Sequence, residues 1–311
     1  MPHRQTLWAL LGRLTVLYAH RLGRRAPTVS PKDDEPSLPR LVLGTVMLVI
    51  LVFLLLYPLT CERPLRVATF NIENFPKNER QIEGAFAEMK SLKVDMVGVQ
   101  EITDRRRFAR EAQKHLGHTW RFAHADYDGR LGLGVLYRSN RFVLISARTR
   151  NELIVRPGTR PAFEARFLSR YEFGPPLRVI VVHLKAMGDG VDIRRKQYAA
   201  LRPIVEQAVA SGDRVVLLGD FNATSEADRA ELEALSSAAK LKWATKDMAC
   251  TSFWSRDDGC FGSALDHMLT TEPYFESKAR GPCQSEGCDR KDQCPIFHRE
   301  VSDHCPITLD F

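Results

Sequence analysis

The sequence lacks the compositional extremes that mark disordered or fibrous proteins. Its 311 residues contain no visible repeat, 44% are hydrophobic and 27% are charged, so the chain can bury enough apolar surface to fold. It also lacks a large excess of one charge over most of its length, since the residues beyond 60 include 38 Lys and Arg and 35 Asp and Glu. The net charge of +7 therefore belongs mainly to the N-terminus. It gives little support for a strongly basic face on the main domain.

Charge is missing altogether from Leu41 to Thr60 (LVLGTVMLVILVFLLLYPLT). A helix of this length spans about 30 Å, the thickness of a bilayer's hydrocarbon core. A cleaved signal peptide, or a lipoprotein signal ending at Cys61, is the alternative. The run is too long for either, and no small residues stand where their cleavage sites need them. We predict a transmembrane helix over 41–60, an N-terminal cytoplasmic segment over 1–40 and a main domain over 64–311.

Cysteine is scarce until late in the chain. Six of the seven cysteines are Cys250, Cys260, Cys283, Cys288, Cys294 and Cys305. An even number in Gly- and Pro-containing loops is typical of disulfides formed in an oxidising compartment, with fifteen possible pairings. The alternative is a zinc site at Cys283, Cys288 and Cys294, whose spacing matches no common zinc knuckle. Together with more Lys and Arg before the apolar run than after it, the disulfides predict a single-pass protein of the cell (inner) membrane with an extracytoplasmic catalytic domain.

Short apolar strands alternate with amphipathic helices beyond residue 64. The pattern predicts strands at 66–72, 94–100, 132–137, 142–147, 165–171, 178–183, 214–218, 264–270 and 307–311, and helices at 79–92, 104–116 and 191–210. The close spacing of the strands between 132 and 147 favours hairpins. We therefore expect an α/β fold of two mixed sheets with helices outside, interrupted by a cysteine-rich insertion at about 249–303.

Polar residues stand at the ends of the predicted strands, where open sheets bind ligands. They fall in six short motifs: Thr69-Phe70-Asn71-Ile72-Glu73-Asn74, Gly98-Val99-Gln100-Glu101, Val182-His183-Leu184-Lys185, Gly219-Asp220-Phe221-Asn222-Ala223-Thr224, Leu265-Asp266-His267 and Ser302-Asp303-His304-Cys305-Pro306. Their carboxylate and amide oxygens suit a hard cation such as Mg²⁺. The absence of an HxxxH or HxH pair argues against a histidine-rich catalytic zinc site. An Asp beside a His can supply a base, and Asn or His can donate hydrogen bonds to phosphate oxygens.

This ordered set resembles the endonuclease/exonuclease/phosphatase superfamily from about Arg66 to Phe311. The resemblance implies a deoxyribonuclease I-like four-layer α/β sandwich of two mixed β-sheets with outer helices, and Mg²⁺ or Mn²⁺ as cofactor. It implies that Glu101 is the main metal ligand, with Asn71 and Asp303 close to the metal. It makes His304, held by Asp266, the base, whereas Asp220 and Asn222 bind the water and the phosphate, and His183 lies across the scissile phosphate. Whether Asp220 or His304 activates the water stays open.

The expected function is a membrane-anchored, Mg²⁺-dependent phosphoester hydrolase, and a phosphodiesterase or endonuclease is favoured. The alternatives are a phosphatase or phospholipase C-like hydrolase of inositol-phosphate or sphingomyelin head groups, and an inactive relative that serves as a binding module. The complete set of site residues argues against the last. The expected partners are a phosphate-ester substrate (a nucleic acid or a phosphorylated head group) and the membrane, through 41–60. No protein partner is implied.

Overall fold

The structure is a computed structural model that describes residues 42, 44–52 and 64–311. Residues 44–52 are helical and exposed. Within these described ranges, no helix is both long enough and apolar enough to cross a membrane. The predicted cytoplasmic segment, and half of the predicted transmembrane helix, lie outside the described residues, so both stay predictions.

The main domain contains fourteen strands and six helices within the described residues. In chain order they are β1 (Arg66–Phe75), α1 (Glu79–Leu92), β2 (Met96–Ile102), α2 (Arg105–Leu116), β3 (Trp120–His124), β4 (Gly132–Arg138), β5 (Phe142–Arg150), β6 (Ala162–Ser169), β7 (Leu177–His183), α3 (Val191–Ala210), β8 (Arg214–Asp220), α4 (Glu226–Ala238), β9 (Lys242–Trp243), β10 (Ser252–Arg256), β11 (Gly259–Ser263), β12 (Asp266–Thr270), β13 (Glu276–Ala279), α5 (Pro282–Ser285), α6 (Ile296–Glu300) and β14 (Ile307–Asp310).

Two six-stranded mixed sheets pack face to face. The first has the order β13-β14-β1-β2-β4-β3 and the second the order β5-β6-β7-β8-β12-β9, while β10 and β11 form a separate hairpin. Only β1 with β2, and β7 with β8, run parallel. The expected two mixed sheets with outer helices are therefore confirmed.

Three apolar clusters give the domain its layers. The cluster between the sheets includes Val135 of the first sheet and Val181 and Leu218 of the second. A second cluster joins α1 and α2 to the first sheet, and a third joins α3 and α4 to the second. Close approach of the sheets requires Gly98, because a Cβ there would lie 2.1 Å from the Leu218 side chain. Burial on both faces explains why the central strands are almost wholly apolar.

The sequence did not predict eight of these elements, namely β3, β9, β10, β11, β13, α4, α5 and α6. Strand β3 is short and half-exposed, so its five residues have little apolar periodicity. Helix α4 has a clear start signal, since Ser225 and Asp228 form a capping box, but its apolar positions are few. The strand predicted over 165–171 runs from Ala162 to Ser169.

The six late cysteines form three disulfides. The bonded pairs are Cys250–Cys288, Cys260–Cys294 and Cys283–Cys305. The predicted disulfides are confirmed, and because each sulfur is bonded to another, the alternative zinc site is excluded. Cys260–Cys294 joins strand β11, and Cys250–Cys288 the residues just before β10, to the segment between β13 and β14, whereas Cys283–Cys305 closes a loop within that segment. They thus stabilise an insertion that has only a small apolar cluster of its own.

We expect the paired change Cys250→Ser with Cys288→Ser to lower the free energy of unfolding by about 2–4 kcal/mol, because the bridge closes a long loop. Urea denaturation of the full-length chain measures this loss. Cys61→Ser, outside the described residues, is the chemically matched control. An unchanged midpoint for the paired variant would contradict the expectation.

Candidate active site

The carboxyl ends of the parallel strands bring the predicted site residues to one end of the domain. Asn71 and Glu101 come from β1 and β2, and His183 and Asp220 lie side by side on β7 and β8. Asp266, the first residue of β12, pairs with Asp220 from the other side. A pocket of about 490 Å³ opens there, lined by Glu101, His183, Asp220, Asn222, Asp303 and His304 among others. Six of the eight predicted site residues thus line the pocket, and the other two, Asn71 and Asp266, do not.

His304 and Asp266 form a buried pair. The His304 Nδ1 lies 2.7 Å from Asp266 Oδ2, which also accepts a hydrogen bond of 2.8 Å from the Thr251 hydroxyl. Burial opposes protonation of His304, but the charges of Asp266, Asp303 and Asp220 outweigh it and hold the pKa of His304 well above 6.5. Asp266 therefore fixes the orientation of the imidazole and stabilises its protonated form.

Asp220 stands at the centre of the site. Its Oδ2 accepts a hydrogen bond of 3.1 Å from Asn71 Nδ2 and lies 3.4 Å from His183 Nε2 and 3.8 Å from His304 Nε2. Its Oδ1 accepts from the backbone N–H of Asn222 at 2.8 Å. Burial raises the pKa of Asp220 to about 7, against the lowering effect of His304. This carboxylate therefore exchanges a proton near neutral pH.

His183 is a neutral hydrogen-bonding group. Burial, together with the charges of Arg160 and His304, places its pKa well below 6.5. Its Nε2 faces the Asp220 and Glu101 carboxylates, and its Nδ1 is buried without a partner. Arg160, which the sequence analysis did not identify, donates to the His183 carbonyl oxygen at 2.9 Å and to that of Leu184. It therefore carries positive charge beneath the site.

The chain turns sharply where two site residues leave their strands. Glu101 and Asn222 adopt left-handed backbone angles, with φ of 62° and 50°. Such angles cost non-glycine residues of order 1–3 kcal/mol and persist only where the surroundings impose them. Gly219, at φ 138°, packs against the backbone of Val182, where a Cβ would clash. These turns aim the side chains at the pocket.

The predicted metal ligands Asn71, Glu101 and Asp303 form an oxygen-rich group. The Glu101 carboxylate accepts from Asn71 Nδ2 at 3.3 Å and from the Asn74 backbone at 3.0 Å. The Asn71 amide oxygen accepts from the Glu73 backbone at 3.0 Å, so its nitrogen faces the carboxylates. Asp303 Oδ1 is buried without a hydrogen-bond partner. Glu101 and Asp303 both line the pocket, and a buried unsatisfied carboxylate oxygen is a group that a hard divalent cation would satisfy, so these residues fit one.

A second grouping competes for the same ion. Ligand atoms of Asp220, Asp266 and His304 all lie within 4.8 Å of one another. His304 Nδ1 and Asp266 Oδ2 are bonded to each other at 2.7 Å, so they are committed to each other. The Asp303 Oδ1 atom has no such partner.

The sequence analysis did not identify the aromatic wall of the pocket. Trp254 and Phe261 face each other across the β10–β11 hairpin, and both line the pocket with Arg256. The Arg256 guanidinium lies 5.6 Å from the centre of the Phe261 ring. The alternation in SFWSR is a strand signal, but which face meets the site depends on tertiary packing. The sequence did not predict the hydrogen bond from Thr251 to Asp266 for the same reason.

Several comparisons with known proteins bear on this arrangement. The model of the endonuclease/exonuclease/phosphatase family matches residues 68–304. No curated protein matches the chain significantly. Among solved structures, TDP2 of D. rerio complexed with a single-strand DNA product has 15% identity and a TM-score of 0.61, with 80% of this chain and 99% of that chain covered. The human Nocturnin catalytic domain with bound sulfate has 20% identity and a TM-score of 0.60, covering 79% and 93%. A mannosyl-6-phosphatase of Bacteroides thetaiotaomicron has 14% identity and a TM-score of 0.56, covering 79% and 98%.

Proposed function

Since the chain belongs to the endonuclease/exonuclease/phosphatase family, and is thus a metal-dependent hydrolase of phosphate esters, we propose that it is a Mg²⁺-dependent phosphodiesterase that cuts nucleic acid strands. The observation that carries this proposal is the buried constellation of Asp220, His183 and the His304–Asp266 pair around one pocket. The DNA product bound to the TDP2 neighbour supports a polynucleotide substrate.

In the proposed reaction, the water oxygen bonds to phosphorus while the ester P–O bond breaks, and the leaving oxygen takes the electron pair of that bond and then a proton from solvent. Asp220, whose Oδ2 lies 3.8 Å from His304 Nε2, takes up the proton that the attacking water loses. His183 and Asn222 donate hydrogen bonds to the non-bridging phosphate oxygens, where negative charge grows. Asp266 holds the His304 ring and stabilises its charged form.

Glu101 and Asp303 would hold the cation, with Asn71 orienting the Glu101 carboxylate. A divalent ion bound there would neutralise charge on the phosphate. We propose Mg²⁺ because all the uncommitted donors in this group are oxygens.

The pocket wall favours a substrate that carries flat rings beside its phosphate. Trp254 is 48% exposed and stands opposite Phe261, and Arg256 adds positive charge. Aromatic platforms with cations stack nucleobases with little sequence preference. We therefore propose single-stranded DNA or RNA over a phosphorylated head group.

We further propose that Leu41–Thr60 anchors the protein in the cell membrane, with the catalytic domain outside the cytoplasm. The uncharged twenty-residue run supports the anchor. The three disulfides support an oxidising compartment.

A turnover assay on the full-length chain in detergent tests the function. We expect cleavage of single-stranded oligonucleotides with Mg²⁺ and none with EDTA. RNA, sphingomyelin, inositol phosphates and sugar phosphates are assayed in parallel. Hydrolysis of a head group or sugar phosphate without cleavage of nucleic acid would overturn the substrate proposal, and hydrolysis in EDTA would overturn the metal dependence.

We expect Trp254→Ala to raise the KM for a single-stranded oligonucleotide about 10-fold with little change in kcat, because base stacking contributes about 1–3 kcal/mol per base. Steady-state kinetics measures the change. Trp254→Phe should retain most of the affinity. An oligonucleotide that lacks bases is the substrate control, since it should bind the parent and Trp254→Ala equally. A loss of the same size on both substrates would contradict the stacking role.

A further inference from the structure

The end of the domain opposite the pocket is formed by the beginnings of the parallel strands. β1, β7 and β8 start there at Arg66, Leu177 and Arg214. The loops 170–176 and 271–275 join strands at this end, because β6 and β12 run antiparallel to β7 and β8. Strand β7 is seven residues long, from Leu177 to His183, so this end of the domain lies about 20 Å from the pocket end.

Exposed aromatic side chains are concentrated at this opposite end. Within the described residues, Phe173 is fully exposed, Phe275 is 82% exposed and Tyr171 is 52% exposed. Trp254, the fourth strongly exposed aromatic side chain of the described residues, lines the pocket. Three aromatic rings left in water at the tips of loops have no role in the core, so their exposure needs another explanation.

Ion pairs hold the two aromatic loops in fixed positions. Arg214 bonds Glu172 at 3.2 Å and Glu272 at 3.1 Å, and so ties the two loops together. The Phe275 backbone N–H donates to Asp310 O at 2.8 Å, and Arg66 bonds the Asp310 carboxylate. The acids and bases in these contacts offset each other. The rings, and not an excess of charge, therefore distinguish this surface.

The covalent path of the chain leads to the same end. Only residues 61–65 separate the uncharged run from Arg66, and five residues span at most about 18 Å. The chain therefore enters the domain at this end, a few residues after the uncharged run. Residue 65 is itself fixed in the domain, because the Phe311 backbone donates to its carbonyl oxygen at 2.9 Å.

We infer that this aromatic end, formed by loops 170–176 and 271–275, rests on the lipid bilayer, with Tyr171, Phe173 and Phe275 in the head-group region. Aromatic rings are the side chains that favour this interface. The inference rests on the proposed membrane anchor. It also specifies the substrate more closely: the pocket opens away from the bilayer, so a soluble nucleic acid reaches it and a lipid head group in the same bilayer does not.

Fluorescence quenching in vesicles tests this orientation. Full-length Phe173→Trp, Phe275→Trp and Ile154→Trp are reconstituted into phosphatidylcholine vesicles with and without brominated acyl chains. Ile154 is the matched control, because it is an exposed apolar residue just after β5, at the catalytic end. We expect bromolipid to quench the added emission of Phe173→Trp and Phe275→Trp at least twofold, and that of Ile154→Trp not at all.

The outcomes separate this inference from the anchor. A chain that does not float with the vesicles overturns both. A chain that floats but shows equal quenching at the two ends, or none at either, overturns the orientation alone. If Phe173→Ser converts a dimer of the detergent-solubilised chain to a monomer, a second copy covers the rings instead, and the inference is wrong.

Discussion

His304→Ala should lower kcat by at least about 100-fold, a loss of about 2.7 kcal/mol of transition-state stabilisation. The variant removes the imidazole that lies 3.8 Å from Asp220, the carboxylate that takes up the water's proton, and it removes the positive charge among three carboxylates. Kinetics on any accepted phosphodiester measures the effect. His118→Ala, an exposed histidine outside the pocket, is the matched control and should be normal.

The neighbours of His304 sharpen this expectation. Asp266→Asn should give a smaller loss, because the imidazole keeps a hydrogen bond but loses the charge that stabilises its protonated form. Adding Asp266→Asn to His304→Ala should cost little more than His304→Ala alone, because residues that act as a unit are non-additive. Near-normal turnover by His304→Ala would disprove the proposed chemistry, and full additivity would disprove the coupling of the pair.

Glu101→Ala should also lower kcat at least about 100-fold at ordinary Mg²⁺ concentrations, through loss of a carboxylate from the oxygen-rich group. The milder Glu101→Gln should keep the bonds to Asn71 or Asn74 in part and weaken only the attraction for the cation. Its half-saturating Mg²⁺ concentration should rise, and excess Mg²⁺ should restore part of its activity. Excess Mg²⁺ should not rescue His304→Ala, which lacks a proton carrier and not a cation.

Calorimetric titration with Mg²⁺ gives a readout that does not depend on turnover. We expect weaker binding in Glu101→Gln and unchanged binding in Glu83→Ala, an exposed glutamate on α1. If Glu101→Gln kept its Mg²⁺ affinity while a variant of Asp220 lost most of it, the cation site would instead be the second grouping, Asp220, Asp266 and His304.

The pattern of residues was enough to predict which side chains lie together at one end of the domain. Asn71, Glu101, His183 and Asp220 each follow a buried apolar strand, and carboxyl ends of parallel strands meet at one edge of a sheet. The alternation of strands and helices predicted two mixed sheets. The spacing of the late cysteines predicted disulfides, although not which of fifteen pairings they adopt.

The tertiary structure alone decided how those residues behave. Nothing in Gly219-Asp220-Phe221-Asn222 reveals that Asp220 is buried between His183 and Asp266, and burial is what raises the pKa of Asp220 to about 7. The packing of the β10–β11 hairpin brings Thr251 and Trp254 to the site, and Phe173 and Phe275 share one end because β6 and β12 run antiparallel to β7 and β8. Local sequence determines which strand a side chain follows, since periodicity and turns are short-range. Burial, charge environment and shared surfaces depend on contacts between residues far apart in the chain, which no local pattern specifies.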